Sequence, residues 1–505
     1  MSAEPQDAGE IPASGEHPGG AGAPEAEATG RLHLHSGAAR PSLKVPLRLD
    51  ERRLLLVCFD LVVIVLAVLG AMYLWSVQRR SPFDGTFISE QYRWFIVFAA
   101  LWVGASIITN FYDIRLATDL GSVWASIFKT TAVSLVGYLL IYYFALPGSL
   151  PRNIAAYQGI FTFFGIAFSR TLYRLLIARS PFSRRVIVVG AGKAGLAIVA
   201  TIERYVRPHY DVVGFVDEDS RKTLPAGAPR LLGGPGDLLE LAHKYKAMEI
   251  VLAITNRLHE ATFRAVLDCQ EYGLQVTPMP VLYEEITGRV PVQHIGDNWY
   301  VALPLRPATS SGLYPIAKRI VDVSVSVFGL ALLALLVVPL GLCIKLSSPG
   351  PILFGQDRVG RGGRVFRMHK LRSMVTGAEQ DAPVWAADHD PRVTWIGRWM
   401  RRAHLDELPQ MWCILRGEMS VVGPRPERPQ FVAALEGEVP FYRLRHAVNP
   451  GITGWAQLNY GYVDSRDAAR LRLEYDLYYI KRQSLWLDLL IVARTLGHVL
   501  QFRGR

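Results

Sequence analysis

Large apolar residues are sparse over residues 1–49, gather into long runs from Leu54, alternate with strand and helix patterns between 183 and 300, and return in one long run at Ile320–Leu346. The first segment is rich in Ala, Gly, Pro, Glu and Ser and cannot offset its ordering entropy, so a disordered tail is expected over 1–49. It lacks the basic start and apolar stretch of a signal peptide. Four apolar runs follow, Leu54–Trp75, Phe95–Phe111, Trp124–Leu146 and Ala155–Ile177. Each approaches the ~20 residues that cross ~30 Å of hydrocarbon. They predict a four-helix transmembrane region over 50–180; the fourth run is polar in its second half. Arg52 and Arg53 precede the first run, and Arg170, Arg174, Arg179, Arg184 and Arg185 cluster at the end of the fourth. Basic flanks on both sides of four crossings place both ends in the cytosol, although Arg79 and Arg80 in the first external loop run against this.

Beyond the runs the period changes. Arg185–Gly190, Val212–Val216, Ile250–Ile254 and Leu274–Thr277 read as buried strands separated by helical patterns, which predicts a parallel sheet and a Rossmann-like α/β domain over 183–300. Thr309–Tyr314 reads as a linker. The run Ile320–Leu346 is interrupted by Pro339, and 347–505 is a basic region punctuated by Gly and Pro, ending in an apolar helix at Leu485–Phe502 that suits a membrane surface.

Composition narrows the class. Half of the 505 residues are hydrophobic and only 20% are charged, below the about 25% of soluble domains. The 53 aromatic residues (11 Trp, 21 Tyr, 21 Phe) exclude a wholly disordered chain. The four cysteines are far apart, which excludes a disulfide scaffold and any metal-ligand spacing; they read as small buried hydrophobes of a reducing compartment. The net charge of +11 suits cytoplasmic flanks, anionic lipid or a phosphorylated substrate. No recognition motif points to nucleic acid.

Two motifs carry candidate chemistry. Gly190, Gly192 and Gly195 form a GxGxxG between a strand and a helix, the arrangement that brings backbone N–H groups and a helix N-terminus to a pyrophosphate. Asp217 ends the next strand and could accept from a ribose hydroxyl, later in the chain than the usual spacing. The alternative is a degenerate Rossmann-like domain that holds the chain together or dimerises. The second motif lies in residues 402–426. Leu408, Met411, Trp412 and Leu415 recur at helical spacing and predict one buried face, with Gly417 ending the helix. Asp406 and Glu407 then lie at the helix start, where the dipole favours ionised carboxylates. Beside Arg401, Arg402 and Arg425, two acids suit phosphate chemistry: one carboxylate attacks phosphorus, its neighbour holds a divalent cation, and arginines fork onto phosphate oxygens. Pro424 and Pro426 stiffen the backbone around Arg425. Alone, Asp406 could equally be an N-cap worth ~1 kcal/mol.

The flanking residues decide between them. Lys318-Arg319 with Asp322, Ser348-Pro349-Gly350-Pro351, Phe354 with Gln356 and Arg358, and Lys370-Leu371-Arg372-Ser373-Met374 precede Asp406-Glu407-Leu408-Pro409-Gln410. Arg416–Ser420, Val422–Pro426, Pro450–Gln457 and Asp476 with Tyr478-Tyr479-Ile480 follow it. In that order, stretch 318–480 resembles bacterial polyprenyl-phosphate glycosyl-1-phosphate transferases, and the remainder resembles the long form of that family: membrane helices, Rossmann-like domain, catalytic domain (here 314–505, mostly α). The resemblance implies Asp406 as nucleophile on a UDP-hexose, UMP release, a covalent phosphosugar, and transfer to undecaprenyl phosphate, with Mg2+ held by Glu407. It implies Arg425 as a phosphate ligand. Arg401, Lys370, Arg372 and Asp476 are further candidates, each of which could instead be an ion-pair partner. Glucose stands ahead of galactose as the sugar. Membrane lipids and a second copy of the chain are the other expected partners, at a bacterial cytoplasmic membrane crossed several times with the catalytic domain in the cytosol.

Two departures stand out: Cys413 occupies a position where the family usually has Asn, and the chain stops soon after Phe502. UDP-sugars and magnesium are cytosolic, and Lys318, Arg319 and Lys345 flank both ends of the run with Pro339, so residues 318–346 are read as a re-entrant helix that dips into one leaflet, against a kinked fifth spanning helix. The competing functions are a membrane-anchored NAD-dependent nucleotide-sugar oxidoreductase or epimerase, which leaves 402–426 unexplained, and a scaffold or transporter, for which the apolar runs carry few ionisable residues.

Overall fold

A computed structural model describes residues 49–109, 111–112, 120–144, 152–176, 183–207, 209–219, 221–255, 258–294, 312–377, 390–460 and 466–500. The expected tail (apart from Leu49), the first half of the Thr309–Tyr314 linker and the terminal Arg503–Arg505 lie outside them.

The N-terminal apolar runs form helices α1 (Leu49–Arg79), α2 (Gly85–Glu90), α3 (Tyr92–Thr109), α4 (Leu120–Phe144) and α5 (Arg152–Leu176). A helix satisfies its own backbone, which is the condition for lying in hydrocarbon. Among the described residues, stretches long and apolar enough to cross a membrane occur at Leu54–Gln78, Tyr92–Thr109, Gly121–Tyr143 and Tyr314–Ser347. The set differs from the expectation in one member. α5 is helical but carries Gln158, Thr162, Ser169 and Arg170, all turned into the bundle and buried. Gln158 donates to Thr162, and Arg170 pairs with Asp60 of α1 at 2.7 Å while its guanidinium lies 4.7 Å from the centre of the Phe111 ring. Periodicity measured the length of α5 correctly, but these inward polar groups lower its hydropathy.

The α/β domain consists of β1 (Arg184–Val189), α6 (Lys193–Tyr205), β2 (Tyr210–Val216), β3 (Leu231–Gly233), α7 (Leu238–Tyr245), β4 (Glu249–Leu252), α8 (Glu260–Glu271), β5 (Gln275–Pro278) and α9 (Met279–Thr287). The strands are all parallel in the order β3-β2-β1-β4-β5, with Val188 opposite Phe215 on one side and Val251 on the other. Alternate β1 residues face opposite layers. Val186 and Val188 pack with Ile198, Ile202 and Leu282, whereas Ile187 and Val189 pack with Leu238, Leu241 and Val266. Both faces of the sheet are therefore covered, which is why the strands read as continuous apolar runs. The short edge strand β3 was not legible in the pattern. At the glycine turn, a Cβ on Gly195 would lie 2.0 Å from the Gly190 carbonyl oxygen, so α6 approaches β1 as closely as it does only because position 195 has no side chain.

The C-terminal region comprises α10 (Tyr314–Ser347), the antiparallel hairpin β6 (Leu353–Val359) and β7 (Val365–Leu371), α11 (Trp395–Arg402), α12 (Met411–Arg416), β8 (Ser420–Val422), α13 (Pro429–Glu438), β9 (Gly451–Thr453), α14 (Trp455–Asn459), α15 (Arg466–Arg482) and α16 (Leu485–Leu500). Strands β8 and β9 pair in parallel. Both ends of α10 are bonded to this region. Near its start, buried Asp322 accepts from the Val421 N–H at 2.8 Å and the Ser420 hydroxyl at 3.0 Å, and Lys318 donates to the Val422 carbonyl and to Asp488. At its end, Leu340 and Ile344 pack with Leu371, Ile396 and Met400, and Arg372 binds the Ile344, Ser348 and Pro349 carbonyls. Between those ends, Phe328, Leu335, Val338 and Leu342 are exposed.

The three parts are joined by specific contacts. Trp455 donates to the Gly288 carbonyl at 2.9 Å, Lys481 pairs with buried Glu284 at 2.8 Å, and Val290 and Val292 enter the C-terminal core. Gly497 of α16 lies against Ile108 of α3. We expect Gly195→Ala to destabilise the α/β domain by about 2–4 kcal/mol, since a methyl group must displace a backbone carbonyl. The measurement is the thermal midpoint of the full chain in detergent; an unchanged midpoint would show that the helix can back away freely.

Candidate active site

The site is assembled from four short segments around a cavity of about 1670 Å³. Lys370 comes from the end of β7, paired in register with Phe354 of β6. Arg401 comes from the last turn of α11, its Nε donating to the Ser373 hydroxyl at 2.9 Å. Asp406 and Glu407 come from the turn between α11 and α12, and Arg425 from the loop after β8. All five line the cavity, as does Arg472 of α15. The lining also includes apolar side chains, Leu332 of α10, Met411, Val492 and Leu496.

The two acids do not sit at the start of an α-helix. His404 adopts a left-handed backbone (φ 55°), Leu405–Gln410 form a 3₁₀ turn, and α12 begins only at Met411. Pro409 has no N–H to donate, which favours the tighter turn before the helix. The buried face of α12 is Cys413 and Ile414, whereas Trp412 is 51% exposed. This corrects the expected apolar stripe: a helix of six residues has too few turns for the stripe read across 408–415 to hold its angle. The Cys413 thiol donates to the Arg367 carbonyl at 3.6 Å, and burial raises it to about 11, so it is a packed thiol and not a thiolate.

Asp406 and Glu407 are only 6% and 8% exposed. Glu407 Oε1 accepts from Lys370 Nζ at 2.7 Å and from Arg425 Nη2 at 3.0 Å. Burial alone would push this carboxyl up, but Lys370 and Arg425 outweigh it and hold Glu407 below the usual carboxylate range. Asp406 goes the other way: burial raises it, Lys370 offsets this in part, and the Glu407 charge raises it further. Opposite shifts on adjacent acids in a cavity are the pattern expected where two carboxyl groups serve different roles.

The other candidates separate. Arg372 borders the cavity, yet its guanidinium is spent on the three carbonyls that end α10, so it caps that helix. Asp476 does not line the cavity; it binds Arg445 Nη2 at 3.0 Å behind the Arg425 loop. Sequence reasoning missed Arg472, whose Nη1 donates to Glu427 at 2.7 Å, and Arg445. Neither lies in a short motif, and only the fold brings them to 425–427. The glycine turn lies in the α/β domain with Gly190 at φ +103°, as a strand-to-helix turn requires. Asp217 is already engaged there, accepting from the Ala191 N–H at 2.6 Å and from Lys222 at 3.1 Å. Burial would raise Asp217, but those donors hold it below the usual range.

Among the described residues no cluster of three or more His, Cys, Asp or Glu side chains could hold a metal. Magnesium, however, commonly takes one or two carboxylates and completes its shell with substrate phosphates and water. A pair of acids, one held ionised, fits that mode.

The site is therefore a buried acid pair ringed by cations, in a cavity that also has apolar lining, in a chain with membrane-length helices. Comparison with known proteins identifies the family. The bacterial sugar transferase family matches residues 313–502, and a family described as a CoA-binding domain matches 107–280. The chain is 37% identical over 377 residues to the UDP-N-acetylgalactosamine-undecaprenyl-phosphate N-acetylgalactosaminephosphotransferase of Aeromonas hydrophila, covering 73% of this chain and 85% of that one. It is 35% identical to the undecaprenyl-phosphate glucose phosphotransferase of Komagataeibacter xylinus (62% and 58% covered). It is 34% identical to the UDP-glucose:undecaprenyl-phosphate glucose-1-phosphate transferase of Xanthomonas campestris pv. campestris (63% and 66% covered). The chain belongs to the bacterial sugar transferases and is a transferase enzyme.

The split between the acids sets a pH dependence. An acid whose folded value is raised is protonated over a wider acid range, so activity that needs ionised Asp406 rises with pH through a limb above the ordinary 3.8. Lys370→Met removes the charge that lowers both acids, so it should move this limb to higher pH. The check is kcat/KM against pH for both proteins; a limb unmoved by the substitution would show that Lys370 does not set the ionisation.

Proposed function

We propose that the chain transfers a sugar 1-phosphate from a UDP-hexose to undecaprenyl phosphate through a covalent intermediate on Asp406, releasing UMP and starting polysaccharide assembly. The observation that carries this reading is the acid pair itself, with Glu407 bonded to Lys370 and Arg425 and Asp406 beside it in the same cavity.

The steps balance as follows. A carboxylate oxygen of Asp406 attacks the sugar-bearing phosphorus, the phosphoanhydride bond breaks, and its electron pair leaves on UMP. An oxygen of the lipid phosphate then attacks the same phosphorus and the acyl phosphate bond breaks, restoring the Asp406 carboxylate. Raised as it is, Asp406 must lose its proton before the first attack. Arg425, Arg401 and Lys370 bind and orient phosphate oxygens in the part-buried cavity. Glu407 would hold Mg2+, which neutralises diphosphate charge when bound. The relatives act on both glucose and N-acetylgalactosamine donors by name, so the substituent at C2 of the sugar stays open here.

The layout follows from where the charges lie. α10 is read as re-entrant, a reading supported by Lys318 and Asp322 near its start and Ile344 near its end bonding to one and the same C-terminal region. The bilayer is the bacterial inner membrane, and the catalytic region faces the cytosol, where nucleotide sugars occur. The four N-terminal helices anchor the chain, and the domains follow as 1–49, 50–180, 183–300 and 314–505. An oxidoreductase at the glycine turn has less support, since Asp217 there is bound to Ala191 and Lys222.

Asp406→Asn should lower UMP release by about 10³-fold or more, as loss of a nucleophile does. The assay uses the full chain in lipid with a panel of UDP-sugars, N-acetylated ones included; rapid quench with labelled donor should trap phosphosugar on the protein. Undiminished release would remove Asp406 from the mechanism. Topology is checked separately. Single cysteines at Ile316 and Leu346, in an otherwise cysteine-free chain, should both react with an impermeant reagent from the cytosolic side. Reaction from opposite sides would mean a spanning α10.

A further inference from the structure

The side chain of Arg425 reaches Glu407, and the two flanking prolines stiffen the loop that carries it. Pro424 and Pro426 lack N–H groups, so the loop on either side of Arg425 is short of donors. Its carbonyls do the holding instead. The Pro424 carbonyl accepts from the Gly451 N–H of β9 at 2.9 Å, and the Pro426 carbonyl accepts from Arg358 Nη1 of β6 at 3.0 Å. Between them the Arg425 carbonyl accepts from Arg445 Nη2 at 2.9 Å. Three successive carbonyls are thus pinned from three separate elements.

Arg445 is a costly way to supply that donor. Its side chain and that of Asp476 are each 2% exposed, and a buried guanidinium is tolerated only when paired and hydrogen-bonded. Asp476 supplies the charge at 3.0 Å, and the Tyr442 hydroxyl accepts from Nη1. The rigid fork of arginine lets one group bind a carboxylate and a carbonyl together, which lysine cannot do. Asp476 also stands one helical turn from Arg472, so α15 presents one residue to the cavity and the other to the clamp behind it.

We propose that Arg445, held by Asp476, is a positioning residue that fixes the peptide of Arg425 and thereby aims its guanidinium at Glu407 and at substrate phosphate. This rests on the reading of Arg425 as a phosphate ligand. With the Arg445 bond gone, the peptide between the two prolines can rotate, and the Arg425 side chain swings with it.

The test is a double-mutant cycle on the full chain in lipid nanodiscs, read as binding of inorganic pyrophosphate. Arg445→Lys should weaken binding about tenfold, the loss expected for one hydrogen bond from a charged donor. Added to Arg425→Ala it should cause no further loss, because Arg445 acts only through Arg425. A merely structural fault would lower the number of binding sites and leave their affinity alone. Should Arg445→Lys fail to fold, Asp476→Asn loosens the same clamp and is judged by the same coupling. Wild-type affinity in Arg445→Lys, losses that multiply in the double variant, or no pyrophosphate binding by the wild type would each overturn the proposal. UMP release from UDP-hexose is assayed in parallel. A wild-type chain that shows the coupling but releases no UMP supports Arg445 while removing the transferase mechanism.

Discussion

One carboxylate oxygen, Glu407 Oε1, receives both Lys370 and Arg425, and much of the C-terminal region is arranged so that it can. Taking three charged groups out of water is costly unless each is paired. The pairing locks an antiparallel hairpin, a 3₁₀ turn and a proline-flanked loop to a common point. It also bears on the neighbouring acid: the Glu407 charge beside Asp406 raises Asp406, while Lys370 and Arg425 hold Glu407 low, so the two neighbours become unlike. A single interaction thus ties the cavity's elements together and sets its two acids apart.

The same economy recurs around α10. This helix is apolar along most of its length, but its ends are tied by polar groups that water would otherwise satisfy. Asp322 takes a backbone N–H and a hydroxyl from β8, Arg319 donates to the Ile414 and Leu415 carbonyls at the end of α12, and Arg372 collects the last carbonyls of α10 itself. A membrane-seeking helix is in this way made part of the wall of the reaction cavity, which places a charged site and an apolar surface within one enclosure. For the proposed joining of a polar sugar phosphate to a lipid, that adjacency is the central geometric demand.

The α/β domain is joined to this machinery on the side of α15 away from the cavity. Glu284 and Arg289 reach Lys481 and Glu474, and Trp455 closes on Gly288. Burial pushes Glu474 up to about 7, with Arg289 holding it down in part. Its glycine turn keeps the geometry of a phosphate cradle, yet the carboxylate of Asp217 occupies one of the turn's donors. The domain's firmest role in the fold is therefore mechanical: it packs against the helix that carries Arg472 and Asp476.

What could be read from the chain alone was whatever depends on neighbours in sequence. The apolar runs, the strand and helix alternation, the acid pair and the stiffened Arg425 are local patterns, and local patterns report length, period and residue chemistry. The family resemblance rested on the same short blocks. Where a side chain points is a different kind of fact. Lys370 and Arg372 are two residues apart, yet one turns to Glu407 and the other to the carbonyls of α10, because β7 ends between them at Leu371. Trp412, expected on the buried face, is exposed, whereas Cys413 is buried as expected, because α12 starts only after Pro409. Arg445 and Arg472 belong to the site only because β6, α15 and the loop after β8 converge there. Sequence determined the apolar runs, the main strand and helix alternation and the chemistry available, but not β3 or the C-terminal strands; tertiary packing alone decided which charges meet, because an ion pair between residues 37 positions apart is created by the fold and leaves no trace in either residue's neighbours.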